Sequence, residues 1–125
     1  MKKTLLVVDD EPAIQLILTH YFSAEYTVIT QPNGQAALQW LEAGNSVDAI
    51  VADYDMPVMD GPMFIRQLRS SLLHRSVPLI ILSGKDESSS KIQCLRQGAD
   101  DYVVKPFNPE ELDLRLKIML RKISV

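Results

Sequence analysis

Five short apolar runs punctuate the chain, and segments with helical periodicity fill the gaps between them. The first, third and fourth runs are almost continuous in Leu, Ile, Val and Ala, which is typical of strands covered on both faces of a parallel sheet. The second run is more mixed, so we expect it to lie at an edge of the sheet. The predicted strands run from Thr4 to Asp9, from Tyr26 to Thr30, from Ala49 to Asp53, from Leu79 to Ser83 and from Tyr102 to Lys105.

Apolar side chains spaced three and four residues apart predict a helix after each strand. Asn33 opens the second helix and Gly44 closes it, whereas the fourth is weaker because the serines at 88–90 are poor helix formers. The fifth begins with Asn108 as its N-cap and Pro109 in its first position. The predicted apolar stripes are Ile14, Ile17, Leu18 and Tyr21; Ala37, Trp40 and Leu41; Phe64, Ile65, Leu68 and Leu72; Ile92, Leu95 and Ala99; and Leu112, Leu116, Met119, Leu120 and Ile123.

This alternation of strand and helix predicts an α/β fold with a parallel sheet and right-handed crossovers. Ligands of such sheets bind beyond the carboxyl ends of the strands. That edge of the sheet is therefore the candidate functional site. The polar side chains at the strand ends are Asp9, Asp10, Asp53, Ser83 and Lys105.

Length, charge and cysteine content narrow the possible functions. A chain of 125 residues is one domain of ordinary size, and a net charge of −3 without a basic stripe gives no reason to expect direct nucleic-acid binding. Cys94 is the only cysteine, so a disulfide or a thiolate metal site cannot form within one chain, and we expect a reduced core thiol. No apolar run approaches the ~20 residues of a membrane span, and the start is too brief and acidic for a signal peptide. We therefore expect a cytoplasmic protein without a membrane segment.

If the first and third strands are neighbours, the carboxylates of Asp9, Asp10 and Asp53 converge. Two unit charges ~4 Å apart repel by ~4 kcal/mol at an effective dielectric constant of ~20, so a bare cluster would be strained. Oxygen-only ligands favour Mg²⁺ over zinc as the ion that relieves this strain. Simpler interpretations exist for single residues: Asp10 as a helix cap, Ser83 as a turn residue and Lys105 as a solvated charge. Their joint position at strand ends favours the metal site.

Several motifs follow one another in a fixed order. They are Val7-Val8-Asp9-Asp10-Glu11-Pro12, Asp53-Tyr54-Asp55-Met56-Pro57-Val58-Met59-Asp60-Gly61, Leu82-Ser83-Gly84, Gly98-Ala99-Asp100-Asp101-Tyr102 and Lys105-Pro106-Phe107. Together they closely resemble the receiver domain of two-component response regulators, over essentially the whole of residues 1–125. The resemblance implies a single domain with a doubly wound, five-stranded parallel sheet of flavodoxin-like order 2-1-3-4-5 and five helices.

The resemblance also implies a role for each residue of the acidic edge. Asp53 matches the phosphoacceptor, which takes a phosphoryl group from a sensor histidine kinase or a phosphotransfer protein. Asp10 and Asp53 match the side-chain ligands of Mg²⁺, Asp9 matches the acid that holds coordinated water, and Asp55 matches the residue that contributes its backbone carbonyl. Lys105 matches the lysine that pairs with the phosphoryl oxygens.

A conformational switch is a further implication of the resemblance. Ser83 matches the hydroxyl residue that turns toward the phosphoryl group, and Gly84 matches the small residue that leaves the acceptor accessible. Tyr102, which could also be an ordinary strand aromatic, matches the side chain that turns inward with that movement. The change would alter the face made by the fourth helix, fifth strand and fifth helix, and so control dimerisation or an output partner. The Lys105-Pro106 peptide bond is expected to be cis.

A narrower resemblance is to the OmpR/PhoB class, whose members dimerise through this face and carry a winged-helix DNA-binding domain. The sequence leaves open whether such a domain accompanies this receiver or the receiver acts alone. A solvated charged surface is the alternative to a dimer, since exposed ion pairs are worth only ~0–1 kcal/mol each. The pairs that match the class across a two-fold axis are Lys91 with Glu111, Asp101 with Arg115, and Asp100 with Lys122.

Two other classes share part of this pattern. Asp53, Tyr54 and Asp55 after an apolar strand are also similar to the haloacid-dehalogenase phosphatases, in which the first aspartate is the nucleophile. Those enzymes generally need a longer chain and a cap, and Asp9 and Asp10 would be unexplained. A flavin-binding module of the same topology would need a phosphate loop rich in Ser, Thr and Gly after the first strand, which the sequence lacks. A signalling phosphoacceptor, rather than a turnover enzyme, is therefore the predicted function.

Overall fold

Five parallel strands and five helices alternate along the chain, as the apolar pattern predicts. The computed structural model describes residues 2–123, with side-chain environments up to Arg121. The strands are β1 (Lys3–Val8), β2 (Tyr26–Gln31), β3 (Ala49–Asp53), β4 (Leu79–Ser83) and β5 (Asp101–Val104). The helices are α1 (Pro12–Phe22), α2 (Gly34–Glu42), α3 (Gly61–Ser70), α4 (Ser88–Gln97) and α5 (Pro109–Ile123).

The strands pair in the order β2-β1-β3-β4-β5, and every pairing is parallel. The flavodoxin-like order that the resemblance implies is confirmed, and β2 lies at an edge as its mixed composition predicts. β3 and β4 are wholly buried and have the predicted bounds, whereas β1 and β5 each begin and end one residue earlier than predicted. Among residues 2–123, no helix is long and apolar enough to cross a membrane.

Alternate strand residues point to opposite faces of the sheet and divide the core in two. Leu6 and Ile50 belong to the cluster beneath α2, α3 and α4, whereas Leu5 and Val51 belong to the cluster beneath α1 and α5. Cys94 lies in the first cluster as a free thiol, and burial raises its pKa to about 11, so it is the protonated core thiol that the sequence predicts. Packing on both faces holds the sheet rigidly and thereby positions its carboxyl edge.

The predicted apolar stripe of α4 is wrong. Ile92 and Leu95 are 47% and 46% exposed, and Ala99 lies beyond the end of the helix. The buried face carries Ser90 and Cys94, which are four residues apart. Both side chains are small, so α4 packs closely beside α3 and presents its larger apolar residues to solvent. The helical period was predicted correctly, but the phase was not.

Two other helices depart from the pattern in smaller ways. In α1, Leu18 is buried as predicted and Phe22 is buried with it, whereas Ile17 and Tyr21 stay exposed. α3 ends before Leu72, which is 83% exposed in the following loop. Surface residues can follow the same helical period as core residues, so periodicity alone does not separate them.

Side-chain caps define where two helices begin. Asn33 Oδ1 accepts a backbone N–H of the first turn of α2, and Asn108 Oδ1 does the same for α5, each at 2.8 Å. Both caps agree with the sequence prediction, because Asn satisfies an N–H that the helix itself leaves unpaired. The peptide bond between Lys105 and Pro106 is cis, as expected.

The loop between β3 and α3 contains a strained turn. Val58 has a φ of 72°, and the N–H of Met59 donates to the carbonyl oxygen of Pro57 at 2.7 Å, which closes a γ-turn. Positive φ is unfavourable for a β-branched residue, and the positive-φ form of the γ-turn is the rare, strained one. Since this loop leads directly from Asp53 to α3, the strain is stored beside the candidate site.

Replacing Val58 with glycine should relieve this strain. We expect Val58→Gly to raise the free energy of unfolding by about 1 kcal/mol, because the relief exceeds the extra flexibility that glycine gives the unfolded chain. Urea denaturation measures the change. Val58→Ala is the matched control and should gain less, since alanine keeps a Cβ. A glycine variant no more stable than the original protein would show that the turn carries no strain.

Candidate functional site

Three carboxylates converge at the carboxyl edge of the sheet. β1 pairs with β3 so that Val8 lies beside Ala52, and the residues that follow these two positions therefore meet. One oxygen from each of Asp9, Asp10 and Asp53 lies within 4.8 Å of the others. The adjacency of the first and third strands, on which the predicted cluster depends, is confirmed.

Lys105 provides a positive charge for this cluster. Its Nζ lies 2.9 Å from Asp53 Oδ1 and 3.9 Å from both Asp9 Oδ2 and Glu11 Oε1. Its backbone N–H donates to the carbonyl oxygen of Ser83 at 2.7 Å, so the side chain starts at the end of β5, beside β4, and reaches across to β3. The interpretation of Lys105 as a solvated surface charge is therefore wrong. Glu11 was not singled out as a site residue, and its place directly after two aspartates was the available signal.

Burial perturbs the acids of this cluster. It raises the pKa of Asp9 to about 6, although the backbone N–H of Glu11, 2.9 Å from Asp9 Oδ1, lowers it in part. Burial also raises the pKa of Asp53, and the ammonium of Lys105 opposes that rise. Burial lowers the pKa of Lys105, but the carboxylates of Asp53 and Asp9 together raise it by more. The pKa of the lysine therefore stays above its ordinary value. The lysine is therefore a permanent cation beside two acids that are costly to ionise.

The donor set of the cluster fits a hard divalent cation. Asp9 Oδ2 is buried and has no hydrogen-bond partner, so one carboxylate oxygen is left unsatisfied. Asp10 is exposed and precedes α1 by two residues, so its interpretation as the helix cap is wrong. All the donors are oxygen atoms, which Mg²⁺ prefers. Asp55 lies exposed in the loop after Asp53, and the contribution of its carbonyl to a metal site stays a prediction.

The two residues predicted to form the switch lie next to each other. Ser83 is fully buried, and its Oγ accepts the backbone N–H of Lys85 at 2.9 Å. Tyr102 is only 7% exposed, and its hydroxyl donates to the carbonyl oxygen of Lys85 at 2.7 Å. Burial raises the pKa of the Tyr102 phenol, so it remains a hydrogen-bond donor at neutral pH. The tyrosine thus occupies the inward position.

Most of the charges expected on a dimer face are paired within one chain. Arg115, expected to reach Asp101 of a partner, contacts it in the same chain, and Asp100 contacts Arg69. The pairing across a two-fold axis stays a prediction, and the side chain of Lys122 lies outside the described residues. The contacts are Arg115 Nη1–Asp101 Oδ2 at 2.9 Å, Arg115 Nη2–Glu111 Oε2 at 2.9 Å, Lys91 Nζ–Asp86 Oδ1 at 3.5 Å and Arg69 Nη2–Asp100 Oδ2 at 3.1 Å.

Comparison with known proteins places the chain in a family. The sequence pattern of the response regulator receiver domain matches residues 5–117. The alkaline phosphatase synthesis transcriptional regulatory protein PhoP of Bacillus subtilis is 40% identical over 126 residues, which cover 100% of this chain and 51% of that protein. A putative response regulator from Chloroflexus aurantiacus has a TM-score of 0.90 at 34% identity, over 97% of this chain and 99% of that one.

The receiver domain of a sensor histidine kinase from Pseudomonas aeruginosa has a TM-score of 0.87 at 30% identity, over 96% of this chain and 98% of that one. That structure has a magnesium ion coordinated in its active site cleft. The chain belongs to the response regulator receiver family, which favours the signalling interpretation over the phosphatase and flavin alternatives. The chain spans about half the length of the curated relatives it matches.

The raised pKa of Asp9 makes the stability of the metal-free protein depend on pH. An unfolded aspartate has a pKa of 3.8 and folded Asp9 one of about 6, so the folded state holds more protons between these values. The contribution of Asp9 to the free energy of unfolding should therefore fall as pH rises through this window, by about 2–3 kcal/mol in total.

Chemical denaturation in a chelator between pH 4 and pH 8, for the original protein and for Asp9→Asn, measures this effect. The variant should gain stability relative to the original protein as pH rises toward 6, because it never ionises at this position. A stability difference that stays constant across the window would contradict the assigned pKa.

Proposed function

We propose that Asp53 accepts a phosphoryl group from the phosphohistidine of a sensor histidine kinase or phosphotransfer protein, in a reaction that depends on Mg²⁺. The observation that carries this proposal is the convergence of three carboxylates and one ammonium at the end of β3, with Lys105 Nζ 2.9 Å from Asp53 Oδ1. Phosphoryl transfer needs positioning and charge neutralisation more than covalent chemistry from the protein. A carboxylate held in such a setting is suited to that task.

In the transfer, an Asp53 carboxylate oxygen bonds to phosphorus while the bond from phosphorus to the histidine nitrogen breaks. The electron pair of the broken bond stays on the imidazole, which then takes up a proton, and the product is an acyl phosphate. Mg²⁺ bound at this site would neutralise charge on the phosphoryl oxygens. Asp10 and Asp53 would hold the ion through side chains, Asp9 through coordinated water and Asp55 through its backbone carbonyl. Lys105 would pair with the phosphoryl oxygens from the other side.

The acyl phosphate would change the population of two conformations. Ser83 would turn its hydroxyl to the phosphoryl group while Tyr102 occupies the inward position, which is also its position in this structure. Together these contacts would favour one arrangement of the face formed by α4, β5 and α5. Through that face the domain would control dimerisation or an output partner.

The phosphodonor would dock on α1, beside the acidic edge. Leu16, Ile17 and Tyr21 are 71%, 48% and 41% exposed, and with His20 and Pro109 they line a groove of about 410 Å³. An apolar patch of this kind on a receiver domain suits a protein partner rather than solvent. An amphipathic helix of the phosphodonor would fit such a groove.

Asp53→Asn should abolish labelling by acetyl phosphate in the presence of Mg²⁺, because the amide is a poor nucleophile and a weaker ligand for the ion. Labelling is measured by intact mass or by phosphate-affinity electrophoresis. Asp60→Asn is the matched control: it changes a nearby acid that caps α3, and asparagine caps a helix equally well. Full labelling of the Asp53 variant would place the acceptor on another side chain.

Lys105→Ala should uncouple phosphorylation from any change of assembly state. The variant keeps all three carboxylates and should still take up phosphate, but without the ammonium the phosphoryl group loses the contact that ties it to β5. Sedimentation velocity with and without acetyl phosphate measures any change of assembly state. If the alanine variant shows the same phosphorylation-dependent shift as the original protein, Lys105 does not couple the two events.

A further inference from the structure

Lys85 is held at three separate points in the loop between β4 and α4. Its backbone N–H donates to Ser83 Oγ at 2.9 Å, and its carbonyl oxygen accepts the hydroxyl of Tyr102 at 2.7 Å. Its Nζ lies 5.2 Å from the centre of the Tyr54 ring, within the range of a cation–π contact. These partners belong to three neighbouring strands: Tyr54 follows β3, Ser83 ends β4 and Tyr102 lies in β5.

The Tyr54 ring is a firmly placed partner for the lysine. The backbone N–H of Tyr54 donates to Leu82 at 2.8 Å, and its carbonyl oxygen accepts the N–H of Gly61 at 2.7 Å. Gly61 approaches so closely that a Cβ there would lie 2.9 Å from Tyr54 Cα. The Lys85 side chain, by contrast, is exposed and has no ion pair within the described residues. The ring is therefore the contact that restrains it.

We propose that Tyr54 and Lys85 form a positioning pair, in which the ring holds the β4–α4 loop where Tyr102 keeps its inward hydrogen bond. The inference rests on the proposed function, because it assigns the pair a part in phosphoryl capture at Asp53. When Ser83 turns to the phosphoryl group, its Oγ gives up or reorients its bond to the N–H of residue 85. The contacts to Tyr54 and Tyr102 then keep the loop in place.

The energetic consequence is a shift of population. Without the cation–π contact, residue 85 keeps its hydrogen bonds to the side chains of Ser83 and Tyr102 but loses its tie to Tyr54, so the arrangement with inward Tyr102 is less populated. The apparent affinity for a phosphoryl mimic falls in proportion to that population. A cation–π contact at an exposed site corresponds to about a two- to fivefold change in an equilibrium.

The experiment compares Tyr54→Leu, Lys85→Met and the double variant. Titration with beryllofluoride in the presence of Mg²⁺ measures binding of the phosphoryl mimic. In separate samples without beryllofluoride, ¹⁹F NMR of protein labelled with 3-fluorotyrosine reports whether Tyr102 is in the inward position. The Tyr102→Phe variant identifies the signal of Tyr102. We expect each single variant to weaken beryllofluoride binding by up to about fivefold and to move the Tyr102 signal. The double variant should be no worse than either single one, because both remove the same contact.

Matched controls keep the interaction or remove an unrelated charge. Tyr54→Phe keeps an aromatic face and Lys85→Arg keeps a cation, so both should bind beryllofluoride as the original protein does. Arg96→Met removes an exposed positive charge from α4 and should leave both measurements unchanged. Urea denaturation of every variant separates a local effect from general destabilisation.

Each remaining outcome has a distinct meaning. Weaker binding in Lys85→Met with normal binding in Tyr54→Leu would overturn the proposal, since the ammonium would then act on the bound anion directly. Equal affinities and an unmoved Tyr102 signal in all variants would overturn it as well. Failure of the original protein to bind beryllofluoride would count against the proposed function instead. In that case the fluoride-free NMR comparison would still decide whether the pair positions Tyr102.

Discussion

The main electrostatic constraint on this protein is a cluster of carboxylates that the topology of its sheet brings together. Parallel pairing of β1 with β3 brings Asp9 and Asp53 together at an edge where both are almost fully buried. Within the described residues, Lys105 is the cation that forms ion pairs with these two acids. Folding therefore assembles acids that are costly to ionise: burial raises the pKa of Asp9 to about 6 and the charge of Asp53 adds to the rise, so a bound divalent cation would relieve the cost.

The sheet provides a rigid apolar framework, whereas the loops at its carboxyl edge carry polar groups of the site. Every strand of the buried centre contributes side chains to one of the two apolar clusters, and these clusters hold the sheet from both faces. The loops at the carboxyl edge carry the polar and strained features instead: the γ-turn at Val58 and the three-point attachment of Lys85. In the proposed switch, rigidity in the sheet would allow small displacements in the loops to select between two states without loss of the fold.

What the sequence could predict follows from where each element is buried. β3 and β4 have the predicted bounds because burial on both faces leaves an uninterrupted apolar signal. The acidic edge was also predictable, because strand ends in a parallel sheet face one edge. The phase of α4 was not, since Ser90 and Cys94 form its buried face while Ile92 and Leu95 are exposed. Small residues give a weak apolar signal even where close packing requires them.

The partners of individual side chains could not be predicted from the sequence. These contacts change the expected energetics of the face formed by α4, β5 and α5. Asp101 and Asp100 already have arginine partners within the chain, and Arg69 also donates to the carbonyl oxygens of Gly98 and Val77. Ion pairs across a dimer axis would therefore exchange existing contacts for equivalent ones, with little net free energy. The charges would then select which faces meet rather than supply the affinity, which would have to come from apolar contacts.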